Sequence, residues 1–249
     1  MIADIQTVMW KEWRDLFGDL QRKSTLYKVG VVVVALFFAT VLSLVSEEGW
    51  TSGETSLMFW LAFPFVFTSQ MVADSFAGER ERHTLETLLA TRLPDRAIYI
   101  GKLLTPTLMV WVGVQAWMLY TLVPLNIAFG RDGLLLFSLE TLLLGMSSSL
   151  ALTLLISAIG TLGSLHAPTV QSAQVRIGIF TFIIFFLPIF AFALLLILPD
   201  NVRQQIVDFL TTLGVNRGII AVTGIIFLTD VGLVILGMRL FRRSRMILD

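Results

Sequence analysis

The sequence predicts an all-α, polytopic membrane protein with six transmembrane helices. Hydrophobic residues make up 56% of the 249 residues, charged residues make up 14%, and the mean hydropathy is +0.83. Such a composition leaves too little polar surface to cover a water-soluble protein of this length. The apolar residues also recur in six long stretches, so we expect one transmembrane domain over residues 1–249 and no large soluble domain.

The six apolar stretches have the lengths expected of membrane-spanning helices. A hydrocarbon core about 30 Å thick needs roughly 20 apolar residues per helix, and helices satisfy their own backbone hydrogen bonds in lipid. The stretches cover residues 29–45, 57–72, 103–123, 134–162, 177–198 and 219–238. An even number of spans places both termini on one side of the membrane.

Lysine and arginine residues lie mainly on one side of these predicted spans. Fifteen of the 18 precede the first span, follow the last span, or lie in the connections after the second and fourth spans. The positive-inside rule therefore places both termini in the cytoplasm. We expect the chain in a cell membrane, the plasma membrane of a prokaryote.

Residues 1–28 predict an amphipathic helix on the cytoplasmic surface of the membrane. One face carries apolar side chains at helical spacing, namely Ile2, Ile5, Met9, Trp13, Leu16 and Leu20. The opposite face carries the charged side chains Asp4, Lys11, Arg14, Asp15 and Arg22. Trp13 and the flanking basic residues suit a headgroup interface. The alternative is a soluble helix that packs on a partner.

A second, shorter interfacial helix is expected on the outer side, over residues 199–218. Pro199 and Asp200 open this segment, and Gly214 follows its apolar part. Helical spacing relates its apolar residues, which are Val202, Ile206, Phe209, Leu210 and Leu213.

The connection between the second and third spans, residues 74–102, is more polar than a simple link requires. We expect Gly78 to end the preceding span, and Pro94 to end a helix that begins at Glu79. This helix combines a dense cluster of alternating charges with an apolar ridge, formed by Leu85, Leu88 and Leu89. A ridge with a charged rim suits docking into a groove of a soluble partner. The alternative is a solvated charged loop that has no partner.

The same connection resembles the signature loop of type-2 ABC transporter permeases. The residues that carry the resemblance are Gly78, Glu79, Arg80, Glu81, Arg82, His83, Thr84, Leu85 and Glu86, followed by Leu88, Leu89, Pro94, Gly101 and Lys102. In that family the loop contains the coupling helix, which transmits ATPase motion to the membrane domain. His83 stands where the family usually has glycine, a difference that concerns the local backbone turn. Gln171 and Gln174, between the fourth and fifth spans, resemble a second loop of the family.

The resemblance implies a permease subunit of an ATP-driven exporter, either a homodimer or a heterodimer with a similar permease, served by two separate ATPases. The chain has no P-loop pattern, because Arg96 stands where the first glycine would be and Leu103 follows Lys102. ATP and Mg²⁺ are therefore expected on the partner ATPase. We expect this chain to be a transport subunit that is not an enzyme and binds no cofactor.

Two acidic residues, Glu140 and Asp230, lie within the apolar stretches. A charge at the centre of a membrane helix costs about 2.5–3.5 kcal/mol on insertion scales, so each needs a compensating environment. Asp230 is interpreted either as a gating or substrate-contacting group, or as a protonated or hydrogen-bonded carboxyl at a helix contact. A proton-coupled secondary transporter that uses Asp230 or Glu140 is the alternative function.

Small side chains recur at every fourth position of the fourth predicted span, at Gly145, Ser149, Thr153, Ser157 and Thr161. This pattern favours a close helix–helix contact, and the alternative is the wall of a hydrophilic conduit.

Other function classes find no support in the sequence. The formal net charge is zero, and no basic stripe indicates nucleic-acid binding. The chain has no cysteine, and its two histidines, His83 and His166, lie in predicted loops, so no metal site is expected. No Ser–His or paired-His combination is expected at membrane depth, which argues against an intramembrane enzyme.

Overall fold

A computed structural model describes residues 1–22, 24–45, 47–131 and 133–241. Within these ranges the chain forms ten helices and no strand, which confirms the all-α prediction. The helices are α1 (Ile2–Arg22), α2 (Thr25–Val45), α3 (Glu47–Ser52), α4 (Glu54–Glu81), α5 (Leu85–Leu89), α6 (Asp95–Phe129), α7 (Leu139–Leu165), α8 (Val170–Ile197), α9 (Asp200–Leu213) and α10 (Val215–Leu240). Six of them, α2, α4, α6, α7, α8 and α10, are long and apolar enough to cross a membrane, as predicted.

Helix α7 lies at the centre of the bundle and packs against α4, α6, α8 and α10. Two glycines allow α4 to approach it closely, because a Cβ atom at Gly145 would overlap the Trp60 ring and one at Gly160 would overlap Val72. The five small residues of the predicted ridge are all buried. The hydroxyls of Thr153 and Thr161 donate hydrogen bonds to carbonyl groups of their own helix, so both donors have their partners within α7.

The fourth span begins later than its apolar stretch indicates. The stretch starts at residue 134, but α7 begins at Leu139, because the Ser138 hydroxyl caps it by accepting a hydrogen bond from the Thr141 amide at 3.1 Å. The segment before it is held to α6 instead. The Asn126 side chain accepts from the Leu135 amide at 2.7 Å and donates to the Leu135 carbonyl at 2.8 Å.

The predicted outer segment 199–218 is divided between two helices. Helix α9 occupies most of it, and Gly214, which has a φ of 75°, separates α9 from α10. Residues 215–218 therefore belong to the last span, where the Asn216 amide donates a 2.7 Å hydrogen bond to Glu140 near the start of α7.

Helix α1 packs on α6 rather than lying free of the bundle. Val8 is 2% exposed and sits against Gly101, where an added Cβ would lie 2.6 Å from a Val8 methyl group. The predicted polar face is wrong in one respect, because Lys11 is half-buried and points into the bundle. Trp10 and Trp13 remain exposed, which suits contact with a membrane interface. The helix ends at Arg22, and residues 25–28 of the predicted segment belong to α2.

Candidate functional site: a charged junction at one end of the bundle

The connection after the second span begins with a longer helix than expected. Gly78 does not end the span, because α4 continues to Glu81. Gly78 instead leaves room for two side chains to lie close to its backbone, because a Cβ atom here would overlap the Asp74 carboxylate and crowd the Arg82 guanidinium. These two side chains form an ion pair over Gly78, with contacts of 3.1 and 3.2 Å.

The chain reverses direction immediately after α4, at His83. Its φ of 56° is in the left-handed region, and it is the one non-glycine residue with positive φ among those the structure describes. Glycine adopts this conformation without steric cost, which gives a physical reason for the glycine that the resembled family has at this place. The predicted helix over residues 79–89 is therefore wrong as a single element, since α5 begins only at Leu85.

Helix α5 turns its apolar ridge toward its own chain. Leu85, Leu88 and Leu89 are 7%, 9% and 5% exposed, and they pack in a core cluster with Val8, Phe76, Ile98, Leu103 and Phe241. The prediction that this ridge is available to a soluble partner is wrong. The face of α5 that remains exposed carries Glu86 and Thr87, and the flanking residues His83 and Ala90 are exposed too.

Four ionised side chains from three helices meet beneath α5, and we call them the junction: Lys11 and Glu12 of α1, Glu79 of α4, and Lys102 of α6. Lys11 and Glu79 form an ion pair. The Lys102 ammonium lies 2.7 Å from Glu12 and 3.3 Å from Glu79. It also donates to the Ser75 carbonyl at 2.5 Å. Lys102 is fully buried and Glu79 nearly so, and such charges are tolerated when they are paired.

The electrostatics of the junction favour its ionised state. Burial by itself would lower the pKa of Lys11, but the nearby carboxylates of Glu12 and Glu79 outweigh that effect and raise the pKa above its ordinary value. Asp15 of α1 adds a third carboxylate at the edge of the junction, 3.2 Å from the Lys11 ammonium. Thr84 adds a hydrogen bond to Glu79 from the residue that precedes α5.

Aromatic side chains surround the junction on the side of α10. The Lys102 ammonium lies 5.3 Å from the centre of the Phe76 ring, within the range of a cation–π interaction. Phe76 in turn contacts Phe241, which follows α10 and is 1% exposed. Tyr99 packs so closely on Gly237 that a Cβ atom there would overlap its hydroxyl. The end of α10 is therefore fixed to the same part of the molecule.

The charged residues that follow Glu79 bind the α7–α8 connection. The Arg80 guanidinium donates to the carbonyl groups of Leu165, at 2.7 Å, and of Ala167. The Glu81 carboxylate accepts from the Val170 amide at 3.0 Å, at the start of α8. The run that sequence analysis interpreted as a charged rim thus has internal partners at each position from Glu79 to Arg82.

The two glutamines of the second predicted loop lie on the surface beside this region. Gln171 and Gln174 are both exposed in the first turns of α8. The Gln174 amide is 3.4 Å from the side-chain oxygen of Gln70 on α4, a long hydrogen bond. They are near the same end of α4 as the junction but do not join it.

A cleft of about 640 Å³ lies between α1 and the segment that contains α5. Lys11 and Arg14 line it on α1, and Thr87, Leu88 and Leu93 line it on the opposite side. No local sequence pattern predicts this cleft, because its walls come from residues about 80 positions apart.

The two acidic residues of the apolar stretches occupy different environments. Glu140 lies in the first turn of α7, exposed and hydrogen-bonded to Asn216. Asp230 lies in the middle of α10 with 0% exposure, and neither carboxylate oxygen has a hydrogen-bond partner among the described residues. In the same ranges, no three His, Asp or Glu side chains are grouped so as to hold a metal ion.

Polar contacts between spans, which the sequence did not reveal, cross the centre of the bundle. The Trp60 indole donates to the Gln115 side chain at 3.0 Å, and the amide of Gln115 donates to Ser149 at 3.0 Å. Helices α4, α6 and α7 are thereby joined within the membrane. The signal available in the sequence was Gln115 itself, an amide in an otherwise apolar stretch.

Comparison with known proteins assigns the family. The family model described as ABC-2 family transporter protein matches residues 58–230, which is more than half of the chain. No curated protein and no solved structure gives a match. The matched region extends from the second span to Asp230 in the last, and it includes α5 with Phe76, Ile98 and Leu103 of its core cluster but not Val8 or Phe241. The chain therefore belongs to the ABC-2 transporter family and is a multi-pass membrane permease of the ABC transporter type.

Proposed function

We propose that the chain forms the translocation path of an ATP-driven exporter, and that a separate ABC ATPase docks on the exposed face of α5. The observation that carries this proposal is the two-sided character of α5. Its leucines anchor it in the core, whereas Glu86, Thr87 and Ala90 face outward. A short helix with one anchored and one free face is suited to receive a force from a partner and to pass it on.

The contacts of this region support a route for that force. Glu79 joins α4 to α1 and α6, and Arg80 and Glu81 join α4 to the connection between α7 and α8. A displacement of α5 therefore acts on several spans together. ATP shifts the bundle between inward-open and outward-open arrangements only when the ATPase binds the two arrangements with different affinities.

The complete transporter is proposed to contain two permeases, identical or similar, and two ATPases that bind ATP and Mg²⁺. The charge distribution supports a prokaryotic plasma membrane with both termini and α5 on the cytoplasmic side. The exposed apolar surfaces of α2 and α8 support contact with lipid or with the second permease. Export as the direction of transport rests on the family resemblance.

Cross-linking from a single introduced cysteine tests the docking proposal, since the natural chain has none. We expect Thr87→Cys, on the exposed face of α5, to cross-link in membranes to a protein with a P-loop ATPase sequence, identified by mass spectrometry. The matched control is Arg217→Cys, which is also exposed and lies near the start of α10 at the opposite end of the bundle. Equal cross-linking from both positions, or none from Thr87→Cys in an actively transporting complex, would contradict the proposal.

A further inference from the structure

Asp230 lies on the face of α10 that packs against the bundle. The buried residues of this helix recur every seven positions, at Thr223, Asp230 and Gly237, whereas the neighbours of the aspartate, Thr229 and Val231, are exposed. The carboxyl group is therefore directed at the protein interior and not at lipid. Ionisable residues in this position line substrate or ion pathways in many membrane proteins.

The surroundings of Asp230 on α7 are mostly apolar. The two helices run in the same direction, since Glu140 contacts Asn216 near their starts and Ala158 shares a core cluster with Val234 farther along. The Glu140–Asn216 contact offsets the two helices by 76 residues, which places the turn from Ala151 to Ser157 at the level of Asp230. Its buried side chains are mostly apolar. Two are polar: the Thr153 hydroxyl donates to its own helix, and the Ser157 hydroxyl has no hydrogen-bond partner among the described residues.

No basic side chain of α10 reaches the carboxyl group. Arg217 and Arg239 are thirteen and nine residues from Asp230, or roughly 20 and 13 Å along the helix at 1.5 Å per residue. Lys102, the buried cation of α6, is already paired with Glu12 and Glu79. In this conformation an ionised Asp230 has no counter-charge among the described residues.

We propose that Asp230 is the counter-charge for a cationic group of the transported substrate, so that the cargo is an apolar organic cation received between α7 and α10 when these helices separate. The inference rests on the proposed function, in which the bundle forms the translocation path. It names a substrate class that neither the family nor the coupling region specifies.

The chemistry of the site selects this class over two others. An inorganic cation needs several oxygen ligands to replace its water, and besides its backbone the opposing turn of α7 offers only the hydroxyls of Thr153 and Ser157. A proton pathway needs a continuous chain of hydrogen-bonding groups, yet neither carboxylate oxygen of Asp230 has a hydrogen-bond partner among the described residues. Its neighbours on the packed face of α10 are Ile226, Phe227, Leu233 and Val234. An organic cation brings its own apolar body to these side chains and only its charge to the carboxylate.

Two probes of matched shape and opposite charge test the proposal, namely tetraphenylphosphonium and tetraphenylborate. Equilibrium binding is measured on the purified permease in nanodiscs of zwitterionic lipid, after subtraction of binding to empty nanodiscs. We expect the cation to bind at least tenfold more tightly than the anion. Asp230→Asn should weaken binding of the cation at least tenfold, and Asp230→Glu should retain it.

The control variant is Glu140→Gln, which removes the other candidate carboxylate and should leave cation binding unchanged. Retention of the wild-type circular dichroism and elution volume shows that each variant is folded. Equal binding of the two probes, no binding of the cation, or unchanged cation affinity in Asp230→Asn would overturn the proposal. Loss of proton-driven uptake with unchanged cation binding would indicate a proton site instead. Because binding needs no ATPase, failure here and failure of the docking proposal are distinguishable.

Discussion

Replacing Lys102 by methionine should release α1 and α5 from the bundle. The methionine preserves most of the apolar volume but removes the ammonium that contacts Glu12 at 2.7 Å and Glu79 at 3.3 Å. Removing one partner of a buried ion pair costs about 3–5 kcal/mol, because it leaves the opposite charge unpaired. We expect about 3 kcal/mol, the lower limit of that range, since Lys11 remains as a partner for Glu79.

Hydrogen–deuterium exchange measures this effect locally. A loss of about 3 kcal/mol in the free energy of opening corresponds to roughly 100-fold faster exchange of amides that open with the junction. We expect this acceleration in α1 and α5 and a much smaller one in the first turns of α9. The control is Arg92→Met, which removes an exposed positive charge in the same connection. It should change the free energy of opening by less than about 0.5 kcal/mol.

The double variant Lys102→Met/Glu79→Gln distinguishes pairing from packing. If the two charges stabilise one another, the double variant should open less readily than the sum of the single variants predicts. If the exchange rates of α1 and α5 in Lys102→Met stay within threefold of the wild-type rates, the junction does not hold these helices to the bundle.

Two further predictions concern the backbone of the site and of the bundle. Gly145→Ala should destabilise the bundle by about 1–3 kcal/mol in SDS-titration unfolding, because its methyl group would overlap the Trp60 ring, whereas Gly113→Ala, which has open space at its Cβ, should be tolerated. Equal stability of these two variants would show that the α4–α7 contact adjusts freely. His83→Gly should stabilise the turn before α5 by about 1 kcal/mol, because glycine adopts the left-handed backbone without steric cost. His83→Val should destabilise the same turn. A lower thermal unfolding temperature for His83→Gly than for His83→Val would contradict the assigned turn.

The sequence was sufficient to predict the six spans because the signals for them are local. Lipid requires long apolar helices whatever their neighbours are, so composition within each stretch decides the outcome. The start of α7 was missed because the apolar pattern continues through residues 134–138, although Ser138 is a local capping signal. What holds the segment before the cap is Asn126 of a different helix, and the pattern of apolar residues carries no trace of that contact.

The sequence predicted the leucine ridge of α5 but not the direction in which it faces. The leucines of α5 form an apolar ridge whether they bind another protein or their own core, and only the structure shows that Leu85, Leu88 and Leu89 face inward. In the same way, Glu79 resembles any solvated acid until Lys11 and Lys102 are brought beside it. Pairings over 23 and 68 positions are a property of the fold and not of any local motif.

The buried ion pairs of the junction and the charges on the exposed surface should respond differently to ionic strength. Exposed charges are screened over about 3 Å in 1 M salt, whereas ion pairs removed from water are screened far less. A concentrated salt wash should therefore detach a subunit held through Glu86 while Lys102 and Glu79 stay joined. If the ATPase docks as proposed, one intact permease should lose and regain it repeatedly, because the exposed face of α5 is open to counterions and the junction is not.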